Sequence, residues 1–267
     1  ITQTYGKRVK FLNCREINER LTRNAGGGHA LRADDGSDNG VRMLDVNADG
    51  SLDTVIANGS TRTTRVWSPL ENRYRESSFP LNDLRKDVQF LTADAKGNAA
   101  VASLGTNDSM WRFEEGAWIR STTRTKLSKT LQFRDLNGDG LDDLIHSDSV
   151  ILAKSHLHWP SQTIPLPLRI GPDVRFVDID RDGDVDLIQS NEKGHAIWLF
   201  ESDKGSWKRL LAGAGGMKAT VPPIAIQSRN AGSWFARGAM HLVNEFTRPE
   251  PDHVIVRRFE DWIQSGK

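Results

Sequence analysis

The sequence predicts an all-β chain, a β-propeller of about five four-stranded blades, through three observations. Acidic loops of one spacing recur between β-rich runs. A degenerate copy falls halfway along the one long gap between them, so the period is even. Each copy is followed by two further β-rich runs, which gives a repeat four strands' worth of chain.

The loop is clearest in Val174–Ser190, VRFVDIDRDGDVDLIQS. Here Asp178, Asp180, Asp182 and Asp186 take positions 1, 3, 5 and 9, and Gly183 takes position 6. Val41–Asn58 repeats it with Asp45, Asn47, Asp49, Gly50 and Asp53. Leu131–Ser147 does so with Asp135, Asn137, Asp139, Gly140 and Asp143. Between the first two lies Val88–Ser103, VQFLTADAKGNAAVAS, with Thr92, Asp94, Lys96, Gly97 and Ala100 at the same positions. Most ligands are gone there, and Lys96 sets a positive charge where an ion would sit. Anchors at 45, 92, 135 and 178 give spacings of 47, 43 and 43 residues, the length of a propeller blade.

In chain order, Asn13–Arg23 (NCREINERLTR) has helical periodicity. Ala25–Gly28 with Asp34, Asp35 and Gly36 reads as a flexible approach, since a phosphate cradle would need a strand before it and a helix after. Repeats then span residues 41–80, 88–125, 131–168 and 174–211. In the third, SVILAKS and HLHWPSQ are the weaker strand candidates. The Gly-rich AGAGGMKATVPP breaks the period between Leu211 and Pro223. Gly232–Glu245 reads as a strand–turn–strand whose acidic loop is replaced by an Arg237-Gly238 turn. Within an irregular closing repeat over 222–247, Tyr5–Leu12 (YGKRVKFL) is expected to supply a missing outer strand, which would close the ring and cover an open edge. Residues 248–267 form a tail in which His253–Gln264 has helical periodicity.

Carboxylates alternating around a sharp turn suit a hard divalent cation that takes six to eight oxygens, which points to calcium. An EF-hand would carry Glu at position 12 between helices; here that position is Ile56, His146 or Gln189 and the flanks are β-rich. The expected role is structural, because carboxylates crowded on one loop repel until a cation neutralises them. Such loops fill where calcium is near millimolar, so an extracellular or periplasmic location is expected. No signal-peptide pattern opens the chain, and any leader is expected to be removed or to lie outside this sequence.

These residues resemble the FG-GAP/VCBS-type calcium-binding repeat over roughly Val41 to Leu210. The resemblance implies up to three calcium ions: the first held by Asp45, Asn47, Asp49 and Asp53, the second by Asp135, Asn137, Asp139 and Asp143, the third by Asp178, Asp180, Asp182 and Asp186. It also implies a position-7 backbone carbonyl for each, from Ser51, Leu141 and Asp184. The second repeat departs in its missing ligands and the fifth in having no loop. The tail stretch SWFARGAMHLVNEFTRPEPDHVIVRRFEDW is similar to the segment ending the repeat region of very large secreted proteins of planctomycete-type bacteria, where a sugar-dehydrogenase-like propeller and a cytochrome c domain follow. That implies adjacent domains in a longer chain, with any redox chemistry elsewhere.

The 36 basic and 35 acidic residues leave a net charge of +1, so nucleic acid and anionic membranes are not expected partners. No apolar run reaches the length of a membrane span. Cys14 is the only cysteine, which excludes an intramolecular disulfide. Trp67, Trp111, Trp159 and Trp198 follow their loop anchors by 22, 19, 24 and 20 residues, which predicts one shared position packing blade on blade. Trp234 breaks that pattern and is the candidate ligand contact. His156 and His158 alternate on an expected strand and so would face one side, as ordinary outer-strand residues. The function expected is a non-catalytic binding or scaffold module of an exported bacterial protein. A glycan or protein ligand, or a partner domain, would meet the loops on one face of the disc. The alternatives are a lyase-like propeller enzyme acting on polysaccharide, with a Tyr or His base beside an Arg, and a structural spacer in a larger redox protein.

Overall fold

The computed structural model describes residues 12–105, 109–122, 127–248 and 253–266. It shows an all-β chain of short antiparallel sheets in two compact units, Ile1–Lys129 and Thr130–Lys267.

The first unit begins with helix α1, Cys14–Arg20. Asn13 caps it by accepting the Glu16 N–H while the Glu16 carboxylate accepts the Asn13 N–H, a reciprocal capping box. A π-turn, Leu21–Ala25, ends it, three residues short of the expected Arg23 for the α-helical part. Two consecutive meanders follow. β1 (Val41–Leu44), β2 (Asp53–Ala57), β3 (Arg62–Ser68) and β4 (Arg73–Ser78) form one sheet, and β5 (Val88–Thr92), β6 (Ala99–Ser103), β7 (Ser109–Glu114) and β8 (Ala117–Arg120) the other. β2 is buried along its whole length whereas β4 is largely exposed, so each sheet runs from covered to wet. Val55, Phe79, Val101 and Phe113 pack between the two sheets with Trp111 and Trp118, and the Trp118 indole N–H donates to Thr64 Oγ1 at 2.7 Å.

The second unit repeats the plan. β9 (Gln132–Arg134), β10 (Asp143–Ile145), β11 (Ser149–Ile151) and β12 (Ile164–Pro165) make its first sheet. β13 (Val174–Val177), β14 (Asp186–Ser190), β15 (Gly194–Glu201) and β16 (Ser206–Ala214) make its second. A short pair follows, β17 (Ala225–Ile226) with β18 (Arg229–Asn230). A three-stranded sheet of β19 (Ser233–Ala236), β20 (Ala239–Leu242) and β21 (Ile255–Arg258) leads into helix α2, Phe259–Ser265. Ile188, Ile197, Met240, Phe259 and Trp262 form the core between these last sheets.

The same backbone links recur in both units. The carbonyl at loop position 2 accepts the position-8 amide of the next loop, Val46 from Ala99 at 2.9 Å and Leu136 from Val185 at 2.7 Å. The carbonyl at position 13 accepts an amide from the chain entering the next repeat: Ala57 from Leu84, Ser147 from Ile170 and Ser190 from Ile224. Loops within a unit therefore stack in register. Gly138 shows how tightly: its φ is +66°, and a Cβ there would lie 2.9 Å from the Gly183 carbonyl oxygen.

Four of the expectations need correcting. The stretch expected as a helix over His253–Gln264 is half strand, because Ile255–Arg258 pairs along β20 and only from Phe259 do the buried residues Phe259 and Trp262 fall at helical spacing. β21 thereby adds tail residues to the last sheet, which has three strands and not four among the described residues. HLHWPSQ is not a strand: Leu157 sits at φ +57° in a turn bridged by Ser155 and His158, and the strand forms further on, where Ile164 is buried. His156 and His158 are thus turn residues. The tryptophans do not share one position. Trp111 and Trp198 lie opposite the strand residue at position 10, Val101 and Leu187, where the first repeat has Arg65 opposite Thr54. Trp67 sits two residues beyond Arg65, and Trp159 lies outside any strand, its indole N–H on the Asp142 carbonyl at 2.7 Å. Tyr5–Phe11, most of the expected closing strand, lies outside the described residues; Leu12 is in no strand.

Candidate metal centres

Each intact loop is the connection inside a hairpin: β1–β2, β9–β10 and β13–β14. Position 6 is left-handed in all of them, with φ of +82° at Gly50, +82° at Gly140 and +98° at Gly183. Position 4 is left-handed too, in Ala48, Gly138 and Arg181. Two such residues fold the loop back so that positions 1, 3 and 5 face inward. Only glycine takes that conformation without strain, so Ala48 and Arg181 carry a signal that residue type alone does not reveal.

Position 9 has a second task. Asp53, Asp143 and Asp186 are completely buried. One oxygen of each accepts the position-2 amide: Asp53 from Val46 at 3.0 Å, Asp143 from Leu136 at 2.8 Å, Asp186 from Ile179 at 2.7 Å. The other accepts an amide from the third strand or its extension: from Trp67 at 2.8 Å, Ala153 at 2.7 Å and Phe200 at 2.9 Å. The aspartate thus brackets loop and sheet together. Burial pushes its pKa up in all three, with the neighbouring loop carboxylates adding to the rise against the pull of the backbone bonds: Asp143 to about 6 and Asp186 to about 7.

Positions 1, 3 and 5 are arranged by bonds within the loop. Asp45 and Asp135 accept the Gly50 and Gly140 amides at 2.7 and 2.8 Å. Asn47 and Asn137 each donate an amide N–H to the position-5 aspartate at 3.0 Å, which turns their own carbonyl oxygens inward. Asp49, Asp139 and Asp182 accept the position-7 amides of Ser51, Leu141 and Asp184. The Asp184 carboxylate is directed away, to the Ser202 amide at 3.0 Å, so only its backbone carbonyl is free to serve the loop.

What remains is a set of oxygens withdrawn from water with no hydrogen-bond partner: Asp135 Oδ1 and Asp178 Oδ1 at position 1, and the Oδ1 atoms of Asn47, Asn137 and Asp180 at position 3. Buried oxygens of this kind are costly unless something positive meets them. In the fourth repeat, ligand atoms of Asp178, Asp180 and Asp186 lie within 4.8 Å of one another, so this cluster could hold a metal ion. Burial, then the charges of Asp182 and Asp178, also raises the Asp180 pKa. An all-oxygen set with carboxylates and amide carbonyls fits a hard divalent cation. In the second repeat Asp94 instead spends both oxygens inside its own loop, on the Lys96 and Asn98 amides and the Asn98 side chain.

Trp234, the candidate ligand contact, is 45% exposed and stacks on His241 of the neighbouring strand, with ring centroids 5.2 Å apart.

No protein-family model matches the chain, and no curated protein does. Solved structures similar to it include a lectin from Agrocybe aegerita that recognises non-reducing terminal N-acetylglucosamine, at 16% identity and a TM-score of 0.45 over 64% of this chain. Another is the V. cholerae biofilm matrix protein Bap1, at 14% identity and a TM-score of 0.34 over 65% of this chain. The chain spans 50% of the length of the first and 28% of the second, and both likenesses are distant. Among the described residues no helix is long and apolar enough to cross a membrane.

Proposed function

We propose that the chain is a calcium-stabilised binding module without catalytic chemistry of its own, built as an FG-GAP/VCBS-type β-propeller and carried by an exported protein. One observation carries this reading: the buried, partnerless oxygens at loop position 3 in all three loops of the acidic pattern, joined by one at position 1 in the second and third of them. Asp45, Asn47, Asp49 and Asp53 would hold one ion with the Ser51 carbonyl. Asp135, Asn137, Asp139 and Asp143 would hold a second with that of Leu141, and Asp178, Asp180, Asp182 and Asp186 a third with that of Asp184. Calcium suits these loops better than magnesium, since it accepts irregular, all-protein oxygen shells. The ion would neutralise charge and pin each hairpin. Consecutive four-stranded meanders joined by the same backbone links support the propeller reading, with the β19–β21 sheet as its fifth member. A glycan or protein ligand would then meet the rigid loops and turns between strands.

The test is native mass spectrometry of the chelated protein titrated with calcium to about 1 mM, paired with melting curves. The expected result is three calcium ions per chain and a higher melting temperature, with magnesium much less effective. Failure to bind any calcium at that concentration overturns the reading.

A further inference from the structure

We infer that an open cleft of about 660 Å³ on the first sheet binds an acidic saccharide, one bearing a carboxylate or a sulfate. The inference rests on the binding-module reading and names the chemistry of its ligand. The volume lies within the range of small-ligand sites, about 300–1,000 Å³.

The floor is aromatic. Trp67 on β3 and Tyr74, its cross-strand partner on β4, have ring centroids 5.0 Å apart and planes tilted by 59°. Arg65 lies 4.7 Å from the centre of the Tyr74 ring and donates to the Asn24 and Ala25 carbonyls at 2.8 and 2.6 Å. That side chain fixes the tyrosine and ties the π-turn to the sheet, so the cleft is a built feature. From the turn come Arg23 and Asn24, and from the β3–β4 connection Asn72 and Arg73. Leu52, 59% exposed at position 8 of the first loop, completes the rim.

These groups suit one kind of ligand. The rings offer apolar surface to the C–H face of a pyranose, and their tilt forms an angled wall that a flat base would fill poorly. Among the described residues, the Arg23 guanidinium, the Tyr74 hydroxyl and the Trp67 indole N–H have no hydrogen-bond partner and are available to hydroxyl or acid oxygens. The lining holds two guanidinium groups and no carboxylate. Arg73 is paired with Glu71, but Arg75 shares that same carboxylate, so the local balance stays positive. Guanidinium forks match carboxylate and sulfate oxygens two at a time. A neutral sugar would leave Arg23 unused, and a bare anion would leave the rings unused.

The cleft is also joined to the first metal loop. Asp53 accepts the Trp67 amide with one oxygen and the Val46 amide with the other, and Leu52 immediately precedes it. Calcium would therefore order the cleft without touching the sugar.

Calorimetry on the full calcium-loaded chain tests this with trigalacturonate, a sulfated chondroitin disaccharide, neutral galactotriose and AMP as probes. Binding of either acidic saccharide is expected at least about tenfold tighter than galactotriose or AMP, and the two acidic arms tell carboxylate from sulfate. Arg23→Ala, an exposed side chain with no structural partner, should weaken the preferred probe about tenfold or more while leaving the melting temperature unchanged. Equal binding of galactotriose, tighter binding of AMP, an unaffected Arg23→Ala variant, or no binding at all overturns the inference. Calcium counted separately by mass spectrometry keeps the two readings apart. Calcium bound without saccharide sinks only the cleft, and saccharide bound without calcium sinks only the metal.

Discussion

Asp186 shows how one side chain is placed to serve both the frame and a candidate metal site. Its two oxygens already satisfy two backbone amides, yet it belongs to the one cluster of three acidic ligand atoms within 4.8 Å of one another among the described residues. Asp178, with a partnerless oxygen and partial exposure, has only the second task. The two should therefore separate on mutation. Asp186→Asn keeps the volume but sets an NH2 against a backbone N–H. We predict a loss of about 2–3 kcal/mol in chelator, read by denaturant unfolding, together with one calcium ion. Asp178→Asn should lose one calcium ion at a cost below about 0.5 kcal/mol in chelator. If both variants are equally mild without metal, the bracket role of Asp186 is wrong. Acidity gives a second prediction. Asp143 and Asp186 are held near 6 and 7 by burial, against about 4 in the unfolded chain. The folded state then binds more protons than the unfolded state across that window. The stability they contribute is full below about pH 4 and is lost as pH rises toward 7, at up to about 1.4 kcal/mol per pH unit for each group. Asp38 and Glu71, lowered to about 2 by Arg42 and by Arg75 with Arg73, have the opposite sign but titrate below this window. Melting curves in chelator should fall from about pH 4.5 to about 7.5, and saturating calcium, which favours the ionised form, should abolish the fall. A rise in chelator would contradict the assignment.

At the scale of elements, the hairpins with acidic loops were legible because one acidic spacing recurs between two β-rich runs, and those runs pair across the loop. So was the Arg237-Gly238 turn, where both residues have positive φ, as a two-residue hairpin turn requires. The double bracket by position 9 was not legible, since its partners Trp67, Ala153 and Phe200 stand 14, 10 and 14 residues away, with no fixed spacing to detect. Nor was β21. Ile255–Arg258 reads as helix or strand in isolation, and pairing with β20 decides it. The consequence is that the tail is structural. Trp262 of α2 is buried, donates its indole N–H to the Thr220 carbonyl at 3.1 Å and packs on Phe259. Trp262→Ala should cost about 3–5 kcal/mol, the range for a large buried aromatic, and should expose the last sheet to protease. A cost under about 1 kcal/mol would mean that the tail is an appendage.

For the whole molecule, the repeat period set out the order of the sheets, while the tryptophan spacing misled because recurrence in sequence was equated with recurrence in register. The registers instead align Trp111 and Trp198 with Arg65, so a similar count from the anchor reaches different places. What does recur is backbone: position 2 to position 8, and position 13 to the entry of the next repeat. The position-8 link does not depend on the acidic pattern: the Ala99 amide, from the loop anchored at Thr92, makes it to the Val46 carbonyl. Calcium should accordingly matter to each hairpin locally and leave the pattern of links intact. This can be seen by hydrogen exchange under native conditions. Removing calcium should speed amide exchange about tenfold or more in β2, β10 and β14, whose first residues are the bracketing aspartates, a change worth about 1.4 kcal/mol of local opening. β6 begins at Ala99 and follows a loop in which Asp94 is satisfied by its own neighbours, so its exchange should change by no more than about twofold. If β6 speeds up with the rest, the metal stabilises the molecule as a single cooperative body. If only β6 speeds up, the loops assigned to metal have been chosen wrongly.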